Sequence, residues 1–485
     1  MSAVPSGFQA NVLGIRAEFA PPAVASAEFL PQHILVVAQG NDTATYSEEP
    51  VLLTGGQAEA AGYGYGSPMH LAVRELLPDV GPGVGPIPIT LLGLPAGTTA
   101  AADLITPSGT ITKSGTYHLV SGGIRLQDFQ VADGATVAER VTAIVDSINN
   151  TLHSPVQASD LAGAAVALTA KASGDAGNSI VTEIVGPTDT GAVWTIDGMS
   201  GGAGNPSLGS ALAKLDDTWY TAVVNTLNHT DLSALDALHA ANLGRADPLV
   251  RRNFHAFTGA MKQTHASMIT FGDTRRSDRT NVIVHCPTTD DLPLRAAAQA
   301  AARYVERATQ NPALEYIGQE LHTLRVGEAG LSPTASQRDL LVKAGICTTE
   351  VRNGKVVLSD VVTLFHPEGD AYPAYQRVSE NTRLMTFLYS LELRFARAPW
   401  EGAILVAESD VVTERRARKP SSAKADVFGI VDGLVTAGVL TDPDFTKQNT
   451  TVDFVGNRVN IVSPIRLTSN GVVRDLVVPF SKNIG

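Results

Sequence analysis

The sequence predicts a multidomain α/β protein. Three observations predict it. Strand-like and helix-like runs alternate from Trp219 to Gln310, the pattern of a parallel sheet with crossover helices. Residues 96–204 interrupt with a text rich in Thr, Val, Ala and Gly and built of short strand-like runs. Both ends of the chain are strand-patterned and set off by breakers, Pro21-Pro22 at one end and Pro464 with a Ser469-Asn470-Gly471 turn at the other.

The elements follow in order. In "FQANVLGIRAEF", Leu13, Ile15, Ala17 and Phe19 alternate with polar or small residues, a strand period. "HILVVAQG" (His33 to Gly40) reads as a buried strand, and "PITLLGL" (Pro88 to Leu94) as another. Between them "SPMHLAVRELL" reads as a helix, with Ser67 as N-cap and Pro68 at its first position. In residues 96–204 a single helix, Thr136 to Leu152, carries a capping box of Thr136 and Glu139. That segment has four basic and ten acidic residues, a net charge of -6. It contains an internal echo, "SGDAGNS" (Ser173 to Ser179) and "SGGAGNP" (Ser200 to Pro206). Beyond it, "WYTAVVNT", "HASMITFG" and "NVIVHC" read as strands. "DLSALDALHAANLG" reads as a helix capped by Asp231 and stopped at Gly244, and "DLPLRAAAQAAARYVERATQ" as a long helix. The last section holds the helices "RVSENTRLMTFLYSLELRFARAP" and "ADVFGIVDGLVTAGVL", then strand-like runs to the end.

Composition excludes several functions. The 485 residues carry a formal charge of -12, which argues against a nucleic-acid binder. No apolar run is long enough for a membrane span, and no signal peptide is expected at the N-terminus. The two cysteines, Cys286 and Cys347, fit no metal or disulfide spacing, and the expected compartment is reducing. No cofactor and no metal are expected. Eleven histidines occur, none in a zinc-protease pattern.

Four candidate sites remain. Gly198-Met199-Ser200-Gly201-Gly202 matches the nucleophile elbow of α/β-hydrolases, which would make Ser200 a nucleophile. No helix follows it directly, so a phosphate-cradling loop and an interdomain joint at Gly201, Gly202 and Gly204 compete with that reading. The basic cluster Arg415, Arg416, Arg418 and Lys419 is either a solvated loop or a dock for an acidic partner. The terminal strands are either edges of this chain's own sheets or arms given to neighbours. The donors would be Leu13 to Phe19, and Val472, Val473, Leu476, Val477 and Val478 before Pro479.

Several phrases, taken in order, resemble the tail sheath proteins of Mu-like contractile bacteriophages. They are "KASGDAGNSI" followed by "TIDGMSGGAGNPSLGSALAKLDDTWY", then "HAFTGAMKQTHASMITFGDTRRS", "SPTASQRDLLVKAGICTTEVRNGKVVLSDVVTLF", "QRVSENTRLMTFLYSLELRF" and "ADVFGIVDGLVTAGVL". The resemblance implies a non-enzymatic structural subunit that stacks as hexameric rings around a tail tube and contracts to drive it through a host envelope. It implies a subtilisin-like α/β core (21–95 and 205–371) and an inserted β-rich outer domain (96–204). It implies a tube-facing α+β domain (372–468) and arms at 1–20 and 469–485. Implied partners are further copies of the chain, the tube protein, and baseplate and tail terminator proteins. Nucleic acid and membrane are not among them. The implied location is the virion tail, after assembly in the host cytoplasm. On this reading Gly201, Gly202 and Gly204 form the return joint, and the basic cluster touches the tube. The competing class is an α/β-hydrolase using Ser200.

Overall fold

The computed structural model describes residues 28–370 and 373–469. These divide into two compact units, residues 31–382 and residues 383–469 with 28–30. The candidate arm residues Leu13, Ile15, Ala17, Phe19, Val472, Val473, Leu476, Val477 and Val478 lie outside the described residues.

The larger unit is built on one eight-stranded sheet. Its strands are β1 (Ile34–Gln39), β2 (Val51–Leu52), β3 (Ile89–Leu94), β4 (Ala222–Asn225), β5 (His255–Met261), β6 (Asn281–Cys286), β7 (Cys347–Arg352) and β8 (Lys355–Asp360). The spatial order is β8-β7-β6-β5-β4-β1-β3-β2. Only the edge strands β2 and β8 run antiparallel. Strands β1 and β3 to β6 are buried at every position, and β1, β3, β4 and β6 read accordingly as apolar runs, whereas β5, interrupted by His255, Thr258 and Gly259, is missed by the sequence reading.

Four helices matter below: α1 (Pro68–Leu76), α2 (Leu232–Arg245), α3 (His265–Asp273) and α4 (Pro293–Gln310). Local code starts the first three. Ser67 accepts from the His70 amide, Asp231 from Ala234 and Thr264 from Ser267. Helix α4 is buried along nearly its whole length. Its alanines let it lie close to the sheet. A Cβ on Gly259 of β5 would stand 2.0 Å from the Pro293 carbonyl, so only glycine fits there.

Two expectations fail here. "HASMITFG" is helix α3, not a strand: Thr264 caps it, and Met268 and Gly272 form its buried side. Its Ile-Thr-Phe text carries β-propensity, which the cap and the packing override. Gly244 does not stop α2. The helix continues to Arg245 and closes at Ala246.

Residues 96–204 form two small antiparallel sheets around the helix Val137–Asn149, which has the Thr136–Glu139 capping box. One sheet orders Val193–Ile196, Ala100–Ser108, Ala165–Ser173 and Val156–Leu161. The other centres on Gly115–Ser121. The hydrophobic core runs without a break from β1 and α4 into this segment, joining Val36 and Ala298 to Ile105, Tyr117 and Ile144.

The smaller unit packs the helix Pro420–Thr436 through Val427, Ile430, Val431 and Leu434. Asp426 of that helix accepts from Arg394 (2.6 Å) and from the Trp400 indole (2.7 Å). Among the described residues a hairpin, Thr451–Val455 with Arg458–Val462, forms a two-stranded sheet.

Candidate functional site

The two glycine-rich phrases meet in space and clasp each other. The Gly202 amide donates to Asn178 Oδ1 (2.8 Å), and Asn178 Nδ2 donates to the Gly202 carbonyl (2.9 Å). The Asp175 amide donates to Asn205 Oδ1 (2.8 Å). Asn178 and Asn205 occupy matching places in the echo, as do Asp175 and Gly202. Each asparagine therefore binds the same position of the other copy. The echo was visible in the sequence; the asparagine contacts across it were not.

The clasp also ties the segment's entry to its exit. The Thr98 and Thr99 amides donate to the Gly204 and Ala203 carbonyls, both at 3.0 Å. Asn205 Nδ2 donates to Asp231 (2.7 Å), the residue that caps α2. Gly201 and Gly204 take left-handed angles, with φ of 80° and 73°. A Cβ on Gly202 would lie 2.4 Å from the Gly174 carbonyl. Gly202→Ala should therefore cost about 1–3 kcal/mol through overpacking, read as a lower unfolding midpoint. Ser200→Ala should stay within about 0.5 kcal/mol. Equal midpoints for Gly202→Ala and wild type would dismiss the clasp.

Ser200 is not on an elbow. Its backbone makes a two-way bridge with Ala102, at 2.9 Å each way. The strand before it ends at Ile196, and the next helix starts only at Leu208. The side chain is exposed. The thiols are no better placed: burial pushes Cys286 up to about 12 and raises Cys347 as well.

In open α/β sheets, ligands bind beyond the carboxyl ends of the strands, where the strand order reverses. Here that point lies between β1 and β4, because the chain goes from β1 outward to β3 and returns on the other side. Residues 96–204 fill it. Gln39, the last residue of β1, donates to the Ser173 carbonyl (2.8 Å). The cavity left beside Gln39, Ala170, Gly177 and Thr226 is about 40 Å³, space for a few waters.

A wider hollow of about 260 Å³ lies at the ends of β5 and β6, beside His229, Lys262 and Asp290. Lys262 takes a left-handed φ of 50° and pairs with Asp290. His285, buried on β6, lies edge-on to His265 at 5.4 Å, and its Nε2 donates to the Gln263 carbonyl (2.9 Å). Burial holds His285 down to about 4, so the ring is neutral. Among the described residues no set of His, Cys, Asp and Glu is grouped to hold a metal. No helix among them is long and apolar enough to cross a membrane.

The basic cluster divides in two. Arg418 donates to the Arg415 (3.0 Å) and Ala417 (2.8 Å) carbonyls, and Lys419 to the Glu408 carbonyl (2.9 Å). These two cations fold the loop. Arg415 and Arg416 are exposed, beside Val411 at 99% exposure. The sequence treated all four alike, because a charge run does not show which side chains turn back on their own backbone.

The geometry defines a mixed α/β multidomain protein whose usual ligand crevice is filled by its own chain. Among solved structures, the chain is similar to a sheath tail protein from Listeria innocua. The two are 11% identical, with a TM-score of 0.50, over 93% of this chain and 95% of that one. It is also similar to a sheath tail protein from Desulfitobacterium hafniense, at 12% identity and a TM-score of 0.43, over 94% and 100%. A component of an anti-feeding prophage baseplate aligns at 10% identity and a TM-score of 0.39, over 57% and 72%. No family model and no curated protein matches the sequence. The fold is that of a sheath tail protein.

Proposed function

We propose that the chain is the structural subunit of a contractile tail sheath, stacking as rings of identical copies around an inner tube. The observation that carries this reading is the likeness to the Listeria innocua sheath tail protein, which extends over nearly the whole of both chains. The filled switch-point crevice supports a structural role over a catalytic one. On this reading the α/β layer is the subtilisin-like core, residues 96–204 are its inserted outer domain, and Gly201, Gly202 and Gly204 form the return joint. Contraction would re-orient subunits while the arms keep them linked. The tube, the baseplate and the tail terminator would be the other partners, and the virion tail the location.

The purified chain should form regular tubes in negative-stain electron microscopy. Unassembled protein with hydrolytic activity that Ser200→Ala abolishes would replace this reading with the hydrolase one.

The exposed pair Arg415 and Arg416 is the better part of the proposed tube contact, since Arg418 and Lys419 are held within the loop. Exposed ion pairs are worth about 0.2–1 kcal/mol each and are screened by salt. Arg415→Glu with Arg416→Glu should thus weaken co-sedimentation with the tube about tenfold, a loss of about 1.4 kcal/mol. The loss should shrink at high salt. Equal retention of the double variant at low salt would remove both residues from the contact.

A further inference from the structure

We propose that His70 and His153 form an acid-released latch between helix α1 and the 96–204 segment. His70 lies on α1, and His153 in the turn that follows the Val137–Asn149 helix. Their rings stack at 5.9 Å, 27° from parallel. Each ring belongs to a different side of the joint, so a charge on either is felt across it.

The seat is tight. His70 Nδ1 accepts from the Gly66 amide (3.2 Å), which requires that nitrogen to be unprotonated. Gly66 in turn abuts the Ser154 carbonyl: a Cβ there would stand 2.0 Å from it. Tyr65 presents its ring edge-on to His70 at 5.3 Å. The same loop is held by Lys171, whose Nζ donates to the Tyr65 carbonyl (3.1 Å) and to Leu152 (3.5 Å). Protonating His70 at Nδ1 removes the Gly66 bond and loosens the loop on which the 152–154 turn rests.

The surrounding charges favour the neutral rings. Arg74 comes from α1 and Lys171 from the Ala165–Ser173 strand. Asp79 is the carboxylate facing the pair, and it is already engaged by Arg74 (3.0 Å) and Gln57 (3.1 Å). Burial first, then Arg74, His153 and Lys171, bring His70 down to about 4. Burial and Arg74 lower His153 too.

The sign follows. A histidine held low in the docked state and free at about 6.5 when undocked takes up protons on opening. Docking is at full strength above about pH 6.5 and weakens progressively toward pH 4. For His70 alone, moving from about pH 7 to pH 5 favours opening by about 20-fold.

Amide hydrogen exchange on the full chain tests this. Rates are corrected for intrinsic chemistry and read in peptides covering 64–77 and 150–156. Peptides covering β5 and β6 contain the buried His255 and His285 and report unfolding of the sheet. The latch predicts that the first two open about 20-fold more at the lower pH, ahead of the sheet peptides. His70→Asn with His153→Asn should flatten that response to about threefold or less. If the double variant does not fold, His70→Asn alone should reduce the response several-fold. The idea is overturned if all peptides open together, if the wild-type response stays within about threefold, or if the folded variants respond as the wild type does.

Discussion

Replacing Arg295 with alanine should lower the stability of the 31–382 unit by about 3–5 kcal/mol, the cost of removing one partner from a buried ion pair. Arg295 sits in the first turn of α4 and is 7% exposed. Its Nε donates to Glu75 on α1 (2.7 Å), Nη1 to the Gly123 carbonyl (3.0 Å) and Nη2 to the Thr323 carbonyl (2.7 Å). Gln299 and Thr323 satisfy the rest of Glu75. Asp291 lies 3.3 Å from Arg295 and also accepts from Arg325 (2.9 Å), which reaches Glu183 (2.7 Å). Burial alone would lower the Arg295 pKa, but Glu75 and Asp291 outweigh it and hold it high. Without the guanidinium, Glu75 and Asp291 are left buried with too few donors, and the contact with Gly123 of the 96–204 segment is lost. Urea unfolding followed by tryptophan fluorescence would measure the loss, and the double variant with Glu75→Gln should recover part of it. A loss below about 1 kcal/mol would mean that the network is ornamental.

That network could not be read from the sequence. Glu75 and Arg295 are 220 positions apart, and no local pattern marks either as buried. What could be read was local. Ser67, Thr136 and Asp231 announced their helices, because a cap is a contact over three residues. Four of the buried strands, β1, β3, β4 and β6, showed as apolar runs, because both faces of a parallel sheet are covered, while β5 was hidden by His255, Thr258 and Gly259. Where local signals conflicted, the reading failed. In "HASMITFG" the cap at Thr264 outweighed β-branched text, and at Gly244 a helix simply passed through a glycine. The two glycine-rich phrases were visible as an echo in the sequence. Their interlocking asparagines needed coordinates, because they join Asp175 to Asn205 and Asn178 to Gly202 across the fold.

On the proposed sheath reading, deleting residues 1–19, or truncating after Ser469, should abolish sheath assembly and leave the monomer folded. The hairpin Thr451–Val455 with Arg458–Val462 is a two-stranded sheet, with Val455 61% and Val462 65% exposed. Two strands alone are marginal in water, and among the described residues no further strand pairs with their outer edges. Strands from neighbouring subunits would complete the sheet, and strand addition needs only main-chain hydrogen bonds. Leu13 to Phe19 and Val472 to Val478 have the required pattern, and Pro479 marks the end of usable pairing because it lacks an N–H. Each added bond is worth about 0.5–1.5 kcal/mol net, so one arm binds weakly by itself. A closed lattice holds neighbours at high effective concentration, so losing either arm removes far more than one link. Circular dichroism of each truncated protein should match the full chain, while electron microscopy should show no tubes. Regular tubes from either truncated protein would mean that the missing end is not a link between subunits. Loss of the folded spectrum would mean that it belongs to the chain's own sheets.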